Sequence, residues 1–555
     1  MNNLTDVTFI IPTRNNNALL RLCLESIRDF YPDNKIIIAA DDCTPQTKTY
    51  IESIQSKYRF TYFCEKERTG IVNTVDKLVS MVETPVVFYT HDDMTIAKDC
   101  LENLLKNLEA RRIVTATRIE PPLHPPEKCK ILQDFGITPD TYKKDDFNAF
   151  TKQTLSLYKD QVTKGIFAPF MFFKNDWLGH DKLFAPQSHE DSDLFYRMVI
   201  AGKELVQARD AFVYHFTSRG SRFKEGIGKD SAEWQYSNHK NLLNFIRKWG
   251  NRPLYDENKH PVIQKKIPVS AVVLVKNEGA LIKNFLYNIE PYFDEVIFLN
   301  DMSTDNTKEE INGYIKETLL KGPTNFDKSK IIVIDRPLNA DFSSQTNYGI
   351  EIAKNDWVMK LDVDERFNYN MLDNLSNIIR ECQEKGAKVV GFPRVNIIDG
   401  RIINDLAPSD WYSDKGPLAN SGNVSIKNPD VQFRLFRKDV RLVNKVHELP
   451  ECVLHDKDSF IISRFEPIVH DKSSERQKRQ NAFYDNIVKE QRKNMNKIIY
   501  DSVIFTTEGI TKHAREEILQ WKDKGYQIQI LDFYRENPYV EHTKEMTEHY
   551  QPIDI

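Results

Sequence analysis

The chain has 555 residues, 40% hydrophobic and 28% charged, with a formal charge of −4. That length exceeds what one hydrophobic core organises, so two to four domains are expected. The composition excludes a disordered or fibrous chain, and the near-neutral charge gives no general footprint for nucleic acid or anionic membrane.

The N-terminal "MNNLTDVTFIIPT" enters a strand directly, with no basic-then-apolar leader. No apolar run reaches the roughly 18–20 residues that span a bilayer. Seven scattered cysteines without a CxxC pair read as reduced structural thiols. A soluble cytoplasmic protein is expected, with room for peripheral contact at the inner face of a membrane.

In chain order, "VTFIIPTRNNNALLRLCLESI" (7–27) is a β-rich run, a polar turn and apolar residues at helical spacing. A second strand, "KIIIAADDCT" (35–44), ends in Asp41 and Asp42. A helix pattern, a third strand ("RFTYFCEK") and another helix lead to "TPVVFYT", which stops at His91, Asp92 and Asp93. "HEDSDLFYRM" (189–198) opens an amphipathic helix with Leu194, Met198 and Val199 available for one face, which puts Glu190 and Asp191 in its first turn. The polar, proline-containing stretch at 248–268 marks a boundary.

Beyond it the order repeats. "VSAVVLVKNEGALIKNFLYNI" (269–289) matches the opening segment, "EVIFLNDMST" (295–304) matches the second strand, and "DWVMKLDVDER" (356–366) ends a strand in Asp362, Asp364 and Glu365. Strands alternating with helices predict two α/β domains with mainly parallel sheets, at 1–255 and 266–495. Residues 496–555 predict one further βαβ unit, too small to bury both faces of its own sheet and therefore docked on the second domain or the start of a third.

Ligands of such sheets bind at the carboxyl ends of the strands, where these acids lie. Clustered carboxylates there suit a hard divalent cation, Mn²⁺ or Mg²⁺, especially one bridging the phosphates of a nucleotide. Each set could instead cap the helix that follows, since Asp is a good N-cap. Two sets at equivalent places favour the metal.

The first repeat resembles the family 2 glycosyltransferases, which have the GT-A nucleotide-diphospho-sugar transferase fold. The motifs that carry the resemblance are "FIIPTRNN", "AADDCT", "THDDM", "HEDSDLFYRM", "VYHFTSRGSRF" and "NLLNFIRKWG", over residues 5–250. It implies that Pro12, Thr13, Arg14, Asp41, Asp42 and Asp92 bind the nucleotide-sugar, that Asp93 and His215 hold the metal, and that Asp191, beside Glu190, is the catalytic base. The second repeat resembles the relatives of lipopolysaccharide core β-glucosyltransferases, through "VLVKNEGALI", "NDMSTDNT", "ADFSSQTNYGI", "WVMKLDVDERF" and "VHEL". By that resemblance Asp301 lies at the donor, Asp362 at the donor or the metal, Asp364 and His470 at the metal, and Glu448 or a neighbour acts as base. Gln345-Thr346 and Asn300 depart from the pattern of those relatives. The segment at 496–555 weakly resembles the opening of a GT-B glycosyltransferase.

These resemblances imply two inverting hexosyltransferase domains that use nucleotide-diphospho-sugars, UDP-sugars foremost. The acceptor would be a growing glycan or lipid-linked glycan. A sugar nucleotidyltransferase would need a glycine-rich phosphate loop where this chain has "PTRNNN". A glycan-binding or scaffolding role for the second domain is the non-enzymatic alternative. "QFRLFRKDVRL" alternates apolar and basic residues, so its arginines are either solvated on a half-buried strand or turned towards a diphosphate.

Overall fold

The computed structural model describes residues 3–217, 230–321, 327–402, 430–465 and 467–494; the expected βαβ unit at 496–555 lies outside them. The chain divides into two compact units that meet in sequence at Lys265 and Lys266. The stretch after residue 255 packs on the first unit. Tyr196 accepts from the Leu254 N–H at 2.8 Å and donates to the Val262 carbonyl at 3.0 Å, which pins both arms of the turn.

The first unit opens with β1 (Val7–Thr13), α1 (Asn17–Phe30), β2 (Lys35–Ala40), α2 (Pro45–Tyr58), β3 (Thr61–Cys64), α3 (Ile71–Met81) and β4 (Val86–Tyr89). There follow β5 (Met94–Ile96), α4 (Cys100–Asn107), β6 (Arg112–Glu120), β7 (Lys130–Leu132), α5 (Lys144–Tyr158), β8 (Val162–Lys164) and β9 (Phe170–Phe173). It closes with α6 (Glu190–Ile200), β10 (Glu204–His215) and α7 (Ala232–Trp249).

The sheet runs β3-β2-β1-β4-β9-β6-β10-β5. Its β3-β2-β1-β4 part is parallel, and β9 is antiparallel to both neighbours. Alternation along the strands feeds two cores. Phe9, Ile11, Ile36 and Ile38 pack with Leu20, Leu24 and Ile27 of α1 on one face. Ile10 and Ile37 pack with Leu78 of α3 and Leu194 and Met198 of α6 on the other. Burying each such side chain contributes about 1.5–3 kcal/mol. Because helices cover both faces, the strands read as continuous apolar runs instead of alternating ones.

The second unit holds β11 (Val269–Val275), α8 (Gly279–Ile289), β12 (Glu295–Asn300), α9 (Thr307–Lys321), β13 (Ile331–Asp335), α10 (Phe342–Ile352), β14 (Trp357–Asp362) and β15 (Glu365–Arg366). Next are α11 (Tyr369–Asp373), α12 (Leu375–Glu384), β16 (Val389–Ile398), β17 (Arg401–Ile402) and β18 (Asp430–Arg437). The described residues end with β19 (Leu442–Val443), β20 (Leu449–Pro450), β21 (Phe460–Ile462), β22 (Ile468–Lys472) and α13 (Ser474–Asn494). Its sheet order, β13-β12-β11-β14-β18-β16-β22-β15, repeats that of the first unit strand for strand.

One rung differs. In the first unit Val114 and Thr115 pair with Met171 and Phe170 in unbroken register. In the second, Val390 and Gly391 pair with Leu435 and Phe433, leaving Arg434 as the extra residue of a β-bulge. A Cβ on Gly391 would lie 2.8 Å from the Val431 side chain and 3.2 Å from the Phe433 ring, so glycine permits the close approach.

Among the described residues no helix is long and apolar enough to cross a membrane.

Candidate active sites at the strand ends

Both sites lie where the chain, having built strands on one side of β1 or β11, returns to build β4 or β14 on the other. This switch point leaves a crevice at the strand ends. The basic-Asn pair that repeats in the sequence shapes its floor. Asn15 and Asn277 adopt φ of 57° and 55°, a left-handed conformation that Asn tolerates better than most residues. Each side chain then accepts from the backbone beyond the next strand, at Thr44 N (3.1 Å) and Thr304 N (2.7 Å).

In the first unit Pro12 pairs with Ala39, beyond the last rung shared by β1 and β4, so its missing N–H costs no hydrogen bond there. Thr13 donates to Asp92 at 2.6 Å, and Asn16 donates to its other oxygen at 3.2 Å. Asp92 therefore braces the β1–α1 turn. Asp41 is buried and accepts from the N–H groups of Thr69 and Gly70 at 2.7 and 3.1 Å. That grip holds Gly70 at φ 79°, against Pro186. Asp42 faces Arg14, whose guanidinium is 2.7 Å away and also binds Glu233 of α7 at 3.1 Å.

Asp93 stands apart from these braces. His215 Nε2 is 3.6 Å from its Oδ2, and His215 Nδ1 donates to Glu120 at 2.8 Å. Its Oδ1 is buried with no hydrogen-bond partner among the described residues. No lysine or arginine among the described residues pairs with Asp92 or Asp93. Burial and then the Asp93 charge push the Asp92 carboxyl up to about 7. For His215, burial acts against the charge, but Asp93 and Glu120 outweigh it and raise the imidazole to about 9.

The orphaned oxygen, the histidine and the carboxylate behind it make a donor set that fits a divalent cation completed by phosphate oxygens. Among the described residues no three acid, histidine or cysteine side chains form a closed metal cage.

Helix α6 brings the second set of acids. His189, its N-cap, has φ 63°. Glu190 carries a buried, unpartnered Oε2, and burial together with Asp191 pushes its carboxyl up to about 8. Asp191 is exposed and accepts from Ser192 N at 2.6 Å, while Tyr255 donates to the Ser192 hydroxyl at 2.8 Å. Asp193 is fully buried between Arg197 (2.7 Å), Lys248 (2.6 Å) and Trp249 (3.0 Å). The "KWG" at the end of α7 thus serves as the anchor of α6. Beyond burial, the carboxylates of Glu190, Asp191, Asp93 and Asp92 all raise Tyr89, which puts both acid sets in one electrostatic environment.

In the second unit Asp301 accepts from Leu338 N at 2.9 Å, as Asp41 does from its own loop, and pairs with Lys276 at 2.7 Å. The strand-end acids carry internal cations. Asp362 binds Arg434 at 2.6 Å, and Glu365 binds Arg434 and Arg394 at 2.5 and 3.3 Å. Glu448 binds Lys360 at 2.5 Å, whose Nζ is also 3.6 Å from Asp362. Asp364 pairs with His470 at 3.1 Å and Arg476 at 3.2 Å, while Asn396 accepts from His470 Nδ1 at 3.0 Å. At an effective dielectric near 20, a dication about 4 Å from one such cation is repelled by roughly 8 kcal/mol, which offsets the attraction that its paired carboxylate would supply. These residues do not fit a divalent metal as the first set does.

Of the arginines in "QFRLFRK", Arg437 is exposed, but Arg434 is buried, because the bulge breaks the alternation.

The sequence profile described as glycosyl transferase family 2 matches residues 8–176 and again 270–441, more than half of the chain. The chain belongs to that family, with two tandem α/β domains. It is similar to an uncharacterized glycosyltransferase of Rickettsia bellii (strain RML369-C), at 27% identity over 200 residues, 35% of this chain and 60% of that protein. A Rickettsia felis (strain ATCC VR-1525 / URRWXCal2) counterpart is 25% identical over 197 residues, 34% of this chain and 61% of its own length. The match thus spans about three fifths of these curated relatives.

Among solved structures it is similar to GalNAc-T7 with UDP, GalNAc and Mn²⁺, with a TM-score of 0.34 and 13% identity over 46% of this chain and 49% of that one. It is also similar to the mannosyltransferase PcManGT from Pyrobaculum calidifontis in complex with GDP-Man and Mn²⁺, with a TM-score of 0.30 and 17% identity over 44% and 63%.

Proposed function

We propose that the chain is a bifunctional glycosyltransferase in which each unit transfers a sugar from a nucleotide-diphosphate donor, a UDP-sugar foremost, to a growing glycan or lipid-linked glycan. The observation that carries this is the Asp93–His215–Glu120 line at the strand ends, which shares its electrostatic environment with the exposed Asp191 at the start of α6. Asp93 and His215 would hold Mn²⁺ or Mg²⁺, and the chemistry it would supply there is neutralisation of the charge on the leaving diphosphate.

Asp191 takes the proton of the acceptor hydroxyl as that oxygen attacks the anomeric carbon. The bond from that carbon to the β-phosphate oxygen breaks, and the diphosphate leaves with its electron pair. One displacement inverts the configuration. The two adjacent acids divide their work. Burial and Asp191 push the Glu190 carboxyl up to about 8, which suits it to donate a hydrogen bond from its unpartnered oxygen, while Asp191 stands exposed to the acceptor hydroxyl. In the second unit Asp301, Asp362, Asp364 and His470 line the donor site and Glu448 is the base.

The test is donor turnover across a panel of nucleotide-sugars with Asp191→Asn and Glu448→Gln chains, each checked for folding. Each substitution is expected to abolish transfer from a different donor, by about 10²–10⁴-fold. A folded wild-type chain with no turnover of any donor would overturn the proposal.

A further inference from the structure

The shared register assigns each residue around the second set of acids a counterpart around the first. Val7 of β1 pairs with Val86 and Val269 of β11 pairs with Trp357, so Tyr89 corresponds to Lys360, His91 to Asp362 and Asp93 to Asp364. Met94 pairs with His215 and Glu365 with His470, so an apolar side chain in one unit is an acid in the other. Where β9 has Phe170, whose ring packs 5.2 Å from Tyr89, β18 has the bulged Arg434. Glu120, behind the first histidine, becomes Asn396 behind the second.

The first unit therefore places an aromatic pair beneath acids that lack a cation, and the second places a lysine and an arginine there. Arg434 is buried, and its Nε has no partner among the described residues, so its hydrogen-bonding capacity is not exhausted by Asp362 and Glu365. Arg476, at the start of α13, is one-third exposed and bridges Asp364 and Glu278 at the mouth of the crevice.

We propose that the second unit holds the diphosphate of its donor with fixed cations, Arg476 in direct contact and Lys360 and Arg434 behind it, and captures that donor without a divalent metal. This rests on the transferase function proposed above. A guanidinium recognises diphosphate oxygens through paired N–H groups, and a buried cation needs no recruitment from solution. The two halves of one chain then differ in metal requirement.

The test uses the full chain. Calorimetric titration with UDP, GDP, ADP and CDP is run in EDTA and in Mn²⁺, on wild type and on Asp93→Asn, and Mn²⁺ is counted by electron paramagnetic resonance. Expected are one nucleotide-dependent Mn²⁺ per chain and one nucleoside diphosphate bound in EDTA, retained in Asp93→Asn. Adding Arg476→Gln should weaken the EDTA-resistant binding at least tenfold. Arg434→Met tests the buried cation, and if that chain does not fold, the metal count on the unsubstituted chain decides.

A second Mn²⁺ that disappears with Asp364→Asn overturns the proposal and leaves the transferase function standing. Absence of nucleoside diphosphate binding to Asp93→Asn, with or without Mn²⁺, overturns both for this unit and favours a glycan-binding module.

Discussion

Glu120 lies 2.8 Å from Nδ1 of His215, and that contact fixes which ring nitrogen faces Asp93. Against burial, the His215 hydrogen bond, then Arg118, and last Lys130, 3.1 Å from the other Glu120 oxygen, hold this carboxyl well below the usual carboxylate range. A histidine backed by a carboxylate is a stronger ligand than one backed by an amide.

Glu120→Gln is accordingly expected to lower Mn²⁺ affinity at the first unit by about 10–100-fold while leaving the fold intact. Nucleotide-dependent Mn²⁺ binding followed by electron paramagnetic resonance measures it. Unchanged affinity would remove Glu120 from the metal's support.

Tyr255 reaches Asp191 only through Ser192, so it positions the base without touching substrate. Tyr255→Phe should lower kcat at the first unit about five- to tenfold, the equivalent of one neutral hydrogen bond, with the donor KM within about twofold. Steady-state kinetics distinguish this from general loosening, which would move KM as well.

Asp193 is buried with an arginine, a lysine and an indole N–H on its two oxygens. Asp193→Asn takes the counter-charge from Arg197 and leaves Lys248 with Asp181 alone, 2.7 Å away. Breaking a buried pair of this kind costs about 3–5 kcal/mol. Urea unfolding of the first unit should show that loss, and a change below about 1 kcal/mol would mean that α7 is held mainly by its apolar contacts.

Above about pH 7 the pH dependence of stability is led by three groups of one sign, because His91 and His189, which burial lowers from 6.5, act the other way only below that value. Asp92, raised from 3.8 to about 7, and Glu190, raised from 4.5 to about 8, bind protons more tightly folded than unfolded. His215, raised from 6.5 to about 9, contributes stability present below its unfolded value and lost as pH rises through the folded one. In each window the folded state binds more protons, so stability falls as pH rises. The thermal midpoint of the metal-free chain should drop by several degrees from pH 7 to pH 9. Glu190→Gln should flatten the part below pH 8, and a midpoint independent of pH would contradict this charge balance.

The repeat, the strand order and the acids were legible because each left a local signal: an apolar run, an Asn at a turn, an Asp at a strand end. The cations of the second unit left none. Lys360 sits inside "WVMKLD" and reads as one more strand residue, and its partner Glu448 is distant in sequence. Arg434 obeys the alternation of a half-solvated strand, and only the slipped rung at Gly391 buries it. Tyr255 lies in a stretch that reads as a boundary by composition, yet it serves the candidate base. Asp193 was visible as part of a motif, but its partners Lys248 and Trp249 come together with it only through packing of α7 on α6.

The bulge at Arg434 also limits how the two halves could be interconverted. Substituting Tyr89→Lys, His91→Asp, Met94→Glu, Glu120→Asn and Phe170→Arg would copy these side chains of the second site into the first. The pairing of Thr115 with Phe170 is unbroken, however, so the new guanidinium would follow the ordinary pleat instead of the slipped one. A graft that works would have to carry a backbone insertion in β9 and a glycine at position 115. What separates the two sites is thus one residue of chain length as much as any charge, and point substitutions alone do not cross it.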